Sequence, residues 1–252
     1  MRSCCCLISR RMVLGHVAAV SAATSVFPAA LAAAAPAAVL PAAVAGIALP
    51  QSPLARKAAA YAASMCPDFL FNHCMRTYLF GALFAKKRKL AFDADAAFAA
   101  AALHDLGLLK SFESARQSFE IDGADAAEKF ARDAGVPKAR TDLIWHAVEM
   151  HDGKWPLTKR QGPEAMLVAV GAGSDVDGPD PAMDRPAEIH AIVAAFPRLR
   201  FKKQFTALLV DHCRRKPLSQ AGTWLEGLCR EQVPAAWADT VEKEIVEAPF
   251  AE

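Results

Sequence analysis

The chain has 252 residues, 54% hydrophobic and 22% charged, enough apolar material for a domain-sized core. This excludes a disordered chain and a small disulfide-stapled scaffold. With 29 Lys and Arg against 27 Asp and Glu, the net charge of +2 is too small an excess to imply a nucleic-acid partner.

Charge is unevenly spread along the chain. The first 50 residues contain 16 Ala, no Asp or Glu, and only Arg2, Arg10 and Arg11 as charges. Removing them leaves 26 basic and 27 acidic residues, so the body is near neutral. The pair Arg10-Arg11 precedes a mildly apolar, Ala-rich run from Met12 to about Ala35, with A-x-A sites near its end. This resembles a twin-arginine export signal over residues 1–35, which implies a periplasmic protein. The competing reading is an uncleaved membrane anchor; Pro28 and the alanine content make the run a poor span. Residues 36–53 carry no charge and are rich in Ala and Pro, and are expected to form a flexible linker. Four cysteines lie beyond the leader, with no C-x-x-C among them. A Cys213–Cys229 bridge is one pairing an oxidising compartment allows, but isolated buried thiols are the expectation.

From Leu54 the pattern is helical. Asp68 is placed to N-cap a helix running to about Lys87, and basic residues 86–89 suit its C-terminus. Asp93 or Asp95 starts an alanine-rich helix ending at Leu106-Gly107, with Gly107 expected at its C′ position. Further helices are predicted over 122–134, 138–150 and 163–174, although Met166 to Val170 taken alone could be a buried strand. Residues 180–186 read as loop, followed by helices over 187–195, 202–214 and 223–230. The fold class is therefore all-α: a helical domain over 54–232, with a C-terminal tail at 233–252.

Several motifs fail on inspection. Gly171-Ala172-Gly173 lacks the third glycine and the βαβ context of a dinucleotide loop. His146 and His151 are five residues apart, about 140° around a helix, and cannot face one ion as a metalloprotease pair does. No phosphate-loop or serine-hydrolase motif is present.

What remains is His73 on one helix, the pair His104-Asp105 closing a second, His151 ending a later one and Asp175 following the next. Two imidazoles and two carboxylates suit a borderline divalent ion and can leave positions open for water. This H…HD…D order resembles the HD-domain metallohydrolase superfamily. The segment Phe71-Asn72-His73-Cys74-Met75-Arg76 is similar to the N-H-S-x-R stretch of cyanamide hydratase-like HD proteins. The stretches Ala102-Leu103-His104-Asp105-Leu106-Gly107, Phe119 to Ala124, Ile144 to His151 and Gly171 to Asp177 resemble later segments of the same branch. The resemblance spans about Asp68 to Pro217. One departure is Cys74, where the family has Ser or Thr; it is expected to alter a hydrogen bond behind the ligand helix.

The resemblance implies an HD-type helical bundle whose metal ligands are His73, His104, Asp105 and Asp175. His151 would sit beside the ion as general acid/base or orienting group, and Glu120 would be a pocket carboxylate. Asn72 and Arg76 would shape the pocket, or Arg76 would pair with a carboxylate. One divalent metal is implied, zinc first, with iron or manganese also compatible. A dinuclear oxygenase would need two further His ligands, and His146 and His151 point apart. The implied chemistry is addition of water to a small, neutral molecule such as a nitrile, with no membrane contact in the mature form. The alternative, phosphomonoester or nucleotide hydrolysis, needs cations such as those of 198–203 or 214–216 near the metal. A non-enzymatic module with a structural ion is the third possibility. Oligomeric state is not legible.

Overall fold

The computed structural model describes residues 40–249, apart from 154, 184 and 238–240. The expected signal peptide and the first part of the expected linker, 36–39, lie outside the described residues. From Leu40 onward the linker is packed, not free. A short hairpin, β1 (Ala43–Val44) and β2 (Ile47–Ala48), pairs Val44 with Ile47. Its two turn residues, Ala45 and Gly46, both have positive φ, as a tight hairpin turn requires. Val44, Ile47 and Leu49 enter the core. Composition alone pointed to a tether, but these aliphatic side chains give the segment apolar area to bury.

The remaining architecture is all-α. Helix α1 (Pro53–Met65) is capped by Ser52, whose hydroxyl accepts from the Ala55 amide. Helix α2 (Asp68–Arg88) is the central helix, with Phe69, Leu70 and all of 73–85 buried. Its N-cap is Pro67, so Asp68 is the first helical residue and not the cap expected of it. There its charge still complements the positive helix terminus. Helix α3 (Ala94–Leu103) is capped by Asp93, and every residue from Ala96 to Leu103 is buried. Helices α4 (Phe119–Asp133), α5 (Lys138–Glu149), α6 (Trp155–Arg160) and α7 (Pro163–Val176) follow, and Met166 to Val170 is helical. Helices α8 (Pro186–Ala195), α9 (Phe201–Arg215), α10 (Glu226–Gln232) and α11 (Val241–Val246) complete the chain. Sequence patterning missed the short α6 and α11 and started α4 three residues late. No helix among the described residues is long and apolar enough to cross a membrane.

The site depends on how closely α2 and α7 approach. A Cβ on Gly171 would lie 1.9 Å from the Thr77 carbonyl oxygen, and one on Gly81 would lie 2.1 Å from that of Leu167. Both contacts are with backbone, which cannot swing aside. Gly171→Ala should therefore push the helices apart and lower stability by about 1–3 kcal/mol, measurable by urea denaturation. Gly107 has a similar reason for being glycine. It sits in a 3₁₀ turn, Leu106–Leu108, where a Cβ would meet the Phe119 carbonyl at 1.9 Å. It is not among the positive-φ glycines, so the C′ assignment is replaced by close packing on α4.

A disulfide joins Cys213 on α9 to Cys229 on α10, where isolated thiols were expected. The two residues are 16 apart, and both are fully buried. Closing a loop of that length contributes about 3 kcal/mol by the chain-entropy argument. The variant C213S/C229S should lose stability on that scale in thermal unfolding. Cys66 and Cys74 are free and buried. The Cys74 thiol is hydrogen-bonded to Cys66, which with burial holds its pKa well above the ordinary thiol value.

Candidate metal centre

The helix α3 stops where the chemistry begins. His104 is its C-cap and still helical, but Asp105 has φ −98° and ψ 9°, so the chain leaves the α path there. On a continuing helix two neighbours would diverge by about 100°. The break lets both side chains turn to one point, facing His73 across from α2. His73 Nε2 lies 3.2 Å from His104 Nε2 and 3.4 Å from Asp105 Oδ2, and His104 Nε2 lies 3.3 Å from that same oxygen. Three donor atoms thus form a near-equilateral triangle of fully buried residues. Ligands about 2.0–2.2 Å from one tetrahedral ion stand apart by about this much.

The hydrogen bonds behind the rings orient their lone pairs inward. His73 Nδ1 is 2.7 Å from Asp175 Oδ2, His104 Nδ1 is 2.9 Å from the Ala101 carbonyl, and His151 Nδ1 is 2.6 Å from the Val148 carbonyl. Each Nδ1–H donates to an oxygen, which leaves each Nε2 as a lone pair. Burial pushes the His104 imidazole down to about 3, outweighing the attraction of Asp105, so this ring is neutral. Asp105 Oδ2 has no hydrogen-bond partner although it is buried. Lone pairs and an orphaned carboxylate oxygen converging on one point lack a positive charge. His73, His104 and Asp105 therefore fit a divalent metal ion.

Asp175 does not join this triangle. Its Oδ1 accepts from Arg76 Nε at 2.8 Å and Arg198 Nη1 at 2.6 Å, and its Oδ2 accepts from Arg76 Nη2 at 2.6 Å as well as from His73. Both oxygens are saturated, and they face the far side of the His73 ring from Nε2. The sequence-based ligand assignment is corrected: Asp175 orients a ligand instead of being one. Arg76, fully buried, also donates to the Phe196 carbonyl at 2.8 Å. Of its two expected roles the geometry gives the ion pair, and Arg76 does not line the cavity. Asn72 is also corrected, because its amide donates to the Pro197 carbonyl at 2.8 Å and it too lies outside the cavity. Phe201 stacks on His73 with centroids 4.8 Å apart and carries Arg198 on its ring.

The triangle opens on a cavity of about 220 Å³. His151 lines it, with Nε2 3.7 Å from Asp105 Oδ1, close to the three donors but outside the triangle. The walls are mostly apolar, with Phe119, Val176, Phe205 and Trp224 among them, and no Lys or Arg lines the cavity among the described residues. Two carboxylates in the lining, Asp152 and Asp177, were missed from sequence. Asp152 repeats the His-Asp adjacency of residues 104–105, a signal that could have found it. Asp177 lies two residues past Asp175 and ends α7, where the helix turns its acid toward the cavity.

Glu120 lies beside this cavity, not in its wall. It is buried, and neither of its carboxylate oxygens nor Asp152 Oδ2 has a donor. Two ionised carboxyls cannot satisfy each other, whereas one shared proton makes one of them a donor. Burial first, then Asp152, push Glu120 up to about 9, so it carries that proton at neutral pH. His146 does not line the cavity. His212, which the sequence left without companions, is buried against Glu113 at 3.1 Å and Gln220 at 3.0 Å, tying α9 to the loop after α3.

Comparison with known families finds the HD domain over residues 70–171. The match runs from near the start of α2 through α6 into α7, and so contains His73, His104 and Asp105; Asp175 lies four residues beyond it. A search of the curated proteins finds none that matches the chain.

Proposed function

We propose, with an HD domain at residues 70–171 as the premise, that this chain adds water to a small uncharged molecule. HD domains are in general those of metal-dependent hydrolases, and the His73–His104–Asp105 triangle fits their metal requirement. When bound, a divalent ion lowers the pKa of water from 15.7 to about 7 and supplies a nucleophile at neutral pH. The chain's own residues do the rest. His151, its Nδ1–H fixed on Val148, presents a free Nε2 lone pair to the cavity and takes or returns the proton. The Glu120–Asp152 pair holds one proton beside the cavity and can replace it. Phe119, Val176 and Phe205 exclude bulk water and give an uncharged substrate its apolar wall.

The observation that carries the substrate reading is the cation-free lining of a cavity this small. A nitrile of the cyanamide kind, converted to a urea, fits that description. Phosphomonoester hydrolysis needs cations on the transferred group, and the arginines and lysines suggested for that role are engaged elsewhere or exposed. Arg198 is held by Asp175, Arg215 by Glu113, and Lys216 by Asp122. Arg200, Lys202, Lys203 and Arg214 are exposed. Zinc is the first choice of ion for a site of two nitrogens and one oxygen. The twin-arginine leader argues for export, and the Cys213–Cys229 bridge is in keeping with an oxidising compartment. Zinc-loaded protein assayed against cyanamide and p-nitrophenyl phosphate tests the reading. Turnover of cyanamide is expected, and turnover of the phosphate ester alone would refute it.

A further inference from the structure

A second and larger cavity, about 740 Å³, adjoins the metal cavity, and Asp152, Gly153 and Trp224 line both. Its wall carries Glu120, Glu149, Asp152 and Glu226, and no Lys or Arg lines it among the described residues. Clustered acids alone mean little, because solvated acidic faces are common. The distinguishing observation is Glu120, 3% exposed and lining this cavity with both oxygens unpartnered, joined by the orphaned Asp152 Oδ2. The proton the pair shares bridges only one oxygen of each, so one buried Glu120 oxygen still lacks a donor, which is costly unless a ligand supplies it.

We infer that this cavity binds a cationic nitrogen ligand, an alkylammonium or alkylguanidinium group, between the Glu120–Asp152 pair and the Trp224 indole. Three features select that class. The only group of three or more metal-type donors converging within 4.8 Å among the described residues is the His73–His104–Asp105 set, so these carboxyls spread over a chamber instead of meeting on a metal ion. Glu120, Glu149 and Asp152 face a chamber whose described lining holds no Lys or Arg, which favours a positively charged ligand over an anion. Trp224 is 49% exposed and stands at the junction of the two cavities, where an aromatic face attracts an organic cation. Glu226 is already neutralised by Arg230 at 2.6 Å and by the Gly222 amide, so the acids that remain for a ligand are Glu120, Glu149 and Asp152. The volume suits an extended molecule. The inference does not depend on any reaction at the metal triangle.

Calorimetric titration of the purified full chain with methylguanidinium and propylammonium chlorides tests it, with neutral N-methylurea as control. Saturable one-site binding of both cations is expected, at least about tenfold tighter than N-methylurea. Asp152→Asn should weaken the cations about tenfold, the scale of a lost charge-assisted hydrogen bond. Trp224→Ala, a change on a half-exposed loop that leaves the fold intact, should weaken them about threefold. Circular dichroism and zinc content serve as fold controls. Absence of binding to the native chain, equal binding of N-methylurea, or binding unchanged in both variants would overturn the inference. Because the readout is binding and not turnover, its failure is distinct from failure of the hydratase reading.

Discussion

Replacing Asp105 with alanine is expected to abolish stoichiometric metal binding and, with it, turnover. Asp105 Oδ2 is one corner of the donor triangle and has no other partner, so its removal deletes the one anionic corner of that triangle among the described residues. Loss of a residue that merely orients a ligand costs about 10–100-fold in metal affinity, and loss of the ligand itself should exceed that. The apo-protein should respond differently. The carboxylate pairs with no cation there, so metal-free Asp105→Ala should be about as stable as metal-free native chain. A native chain in zinc at 100 times its dissociation constant gains about 2.7 kcal/mol, a gain the variant should not show. Thermal unfolding with and without zinc, on both proteins, reads this directly. A variant that still gains stability from zinc would mean that other donors hold the ion.

The second large effect belongs to Arg76, which no water reaches. Its guanidinium grips both oxygens of Asp175 and also the Phe196 carbonyl, joining α2 to α7 and to the end of α8. Arg76→Ala leaves a buried carboxylate with fewer donors and should cost about 3–5 kcal/mol. Arg76→Lys should recover little, because an ammonium cannot reproduce the planar fork. An acid titration adds an independent check. Burial favours the neutral form of Asp175, but hydrogen bonds from His73 and Arg76 outweigh it and hold the carboxyl well below its ordinary value. A depressed folded pKa contributes stability above the unfolded value, about 3.9, and that stability is lost as pH falls toward the folded one. Without Arg76 the depression shrinks, so the variant should unfold at a higher pH than the native chain.

Much of the fold was legible because caps and breakers are local. Asp93 caps α3, Pro163 opens α7, and Gly135 follows α4, each for a reason readable within a few residues. The triangle was legible too, since His73, His104 and Asp105 are the residue types that a divalent ion needs. Asp175 was less legible. Sequence order places an acid near the ion but cannot say whether it faces the metal or the back of an imidazole. That choice rests on Arg76 and Arg198, one of them 99 residues away, which claim both of its oxygens. Glycine reasons were also hidden. Gly107 looked like a helix stop and proved to be a contact with α4, because close approach between distant segments leaves no local mark. The Cys213–Cys229 bridge and the companions of His212 belong to the same class, set by how α9 and α10 pack after folding.

The central claim, one divalent ion on three residues, is tested most directly by anomalous diffraction at the zinc edge from crystals of the zinc-loaded chain. A single peak per chain is predicted, about 2.0–2.2 Å from His73 Nε2, His104 Nε2 and Asp105 Oδ2, with Asp175 still held by Arg76. A peak away from these atoms, a second ion beside the first, or no peak at all would contradict it.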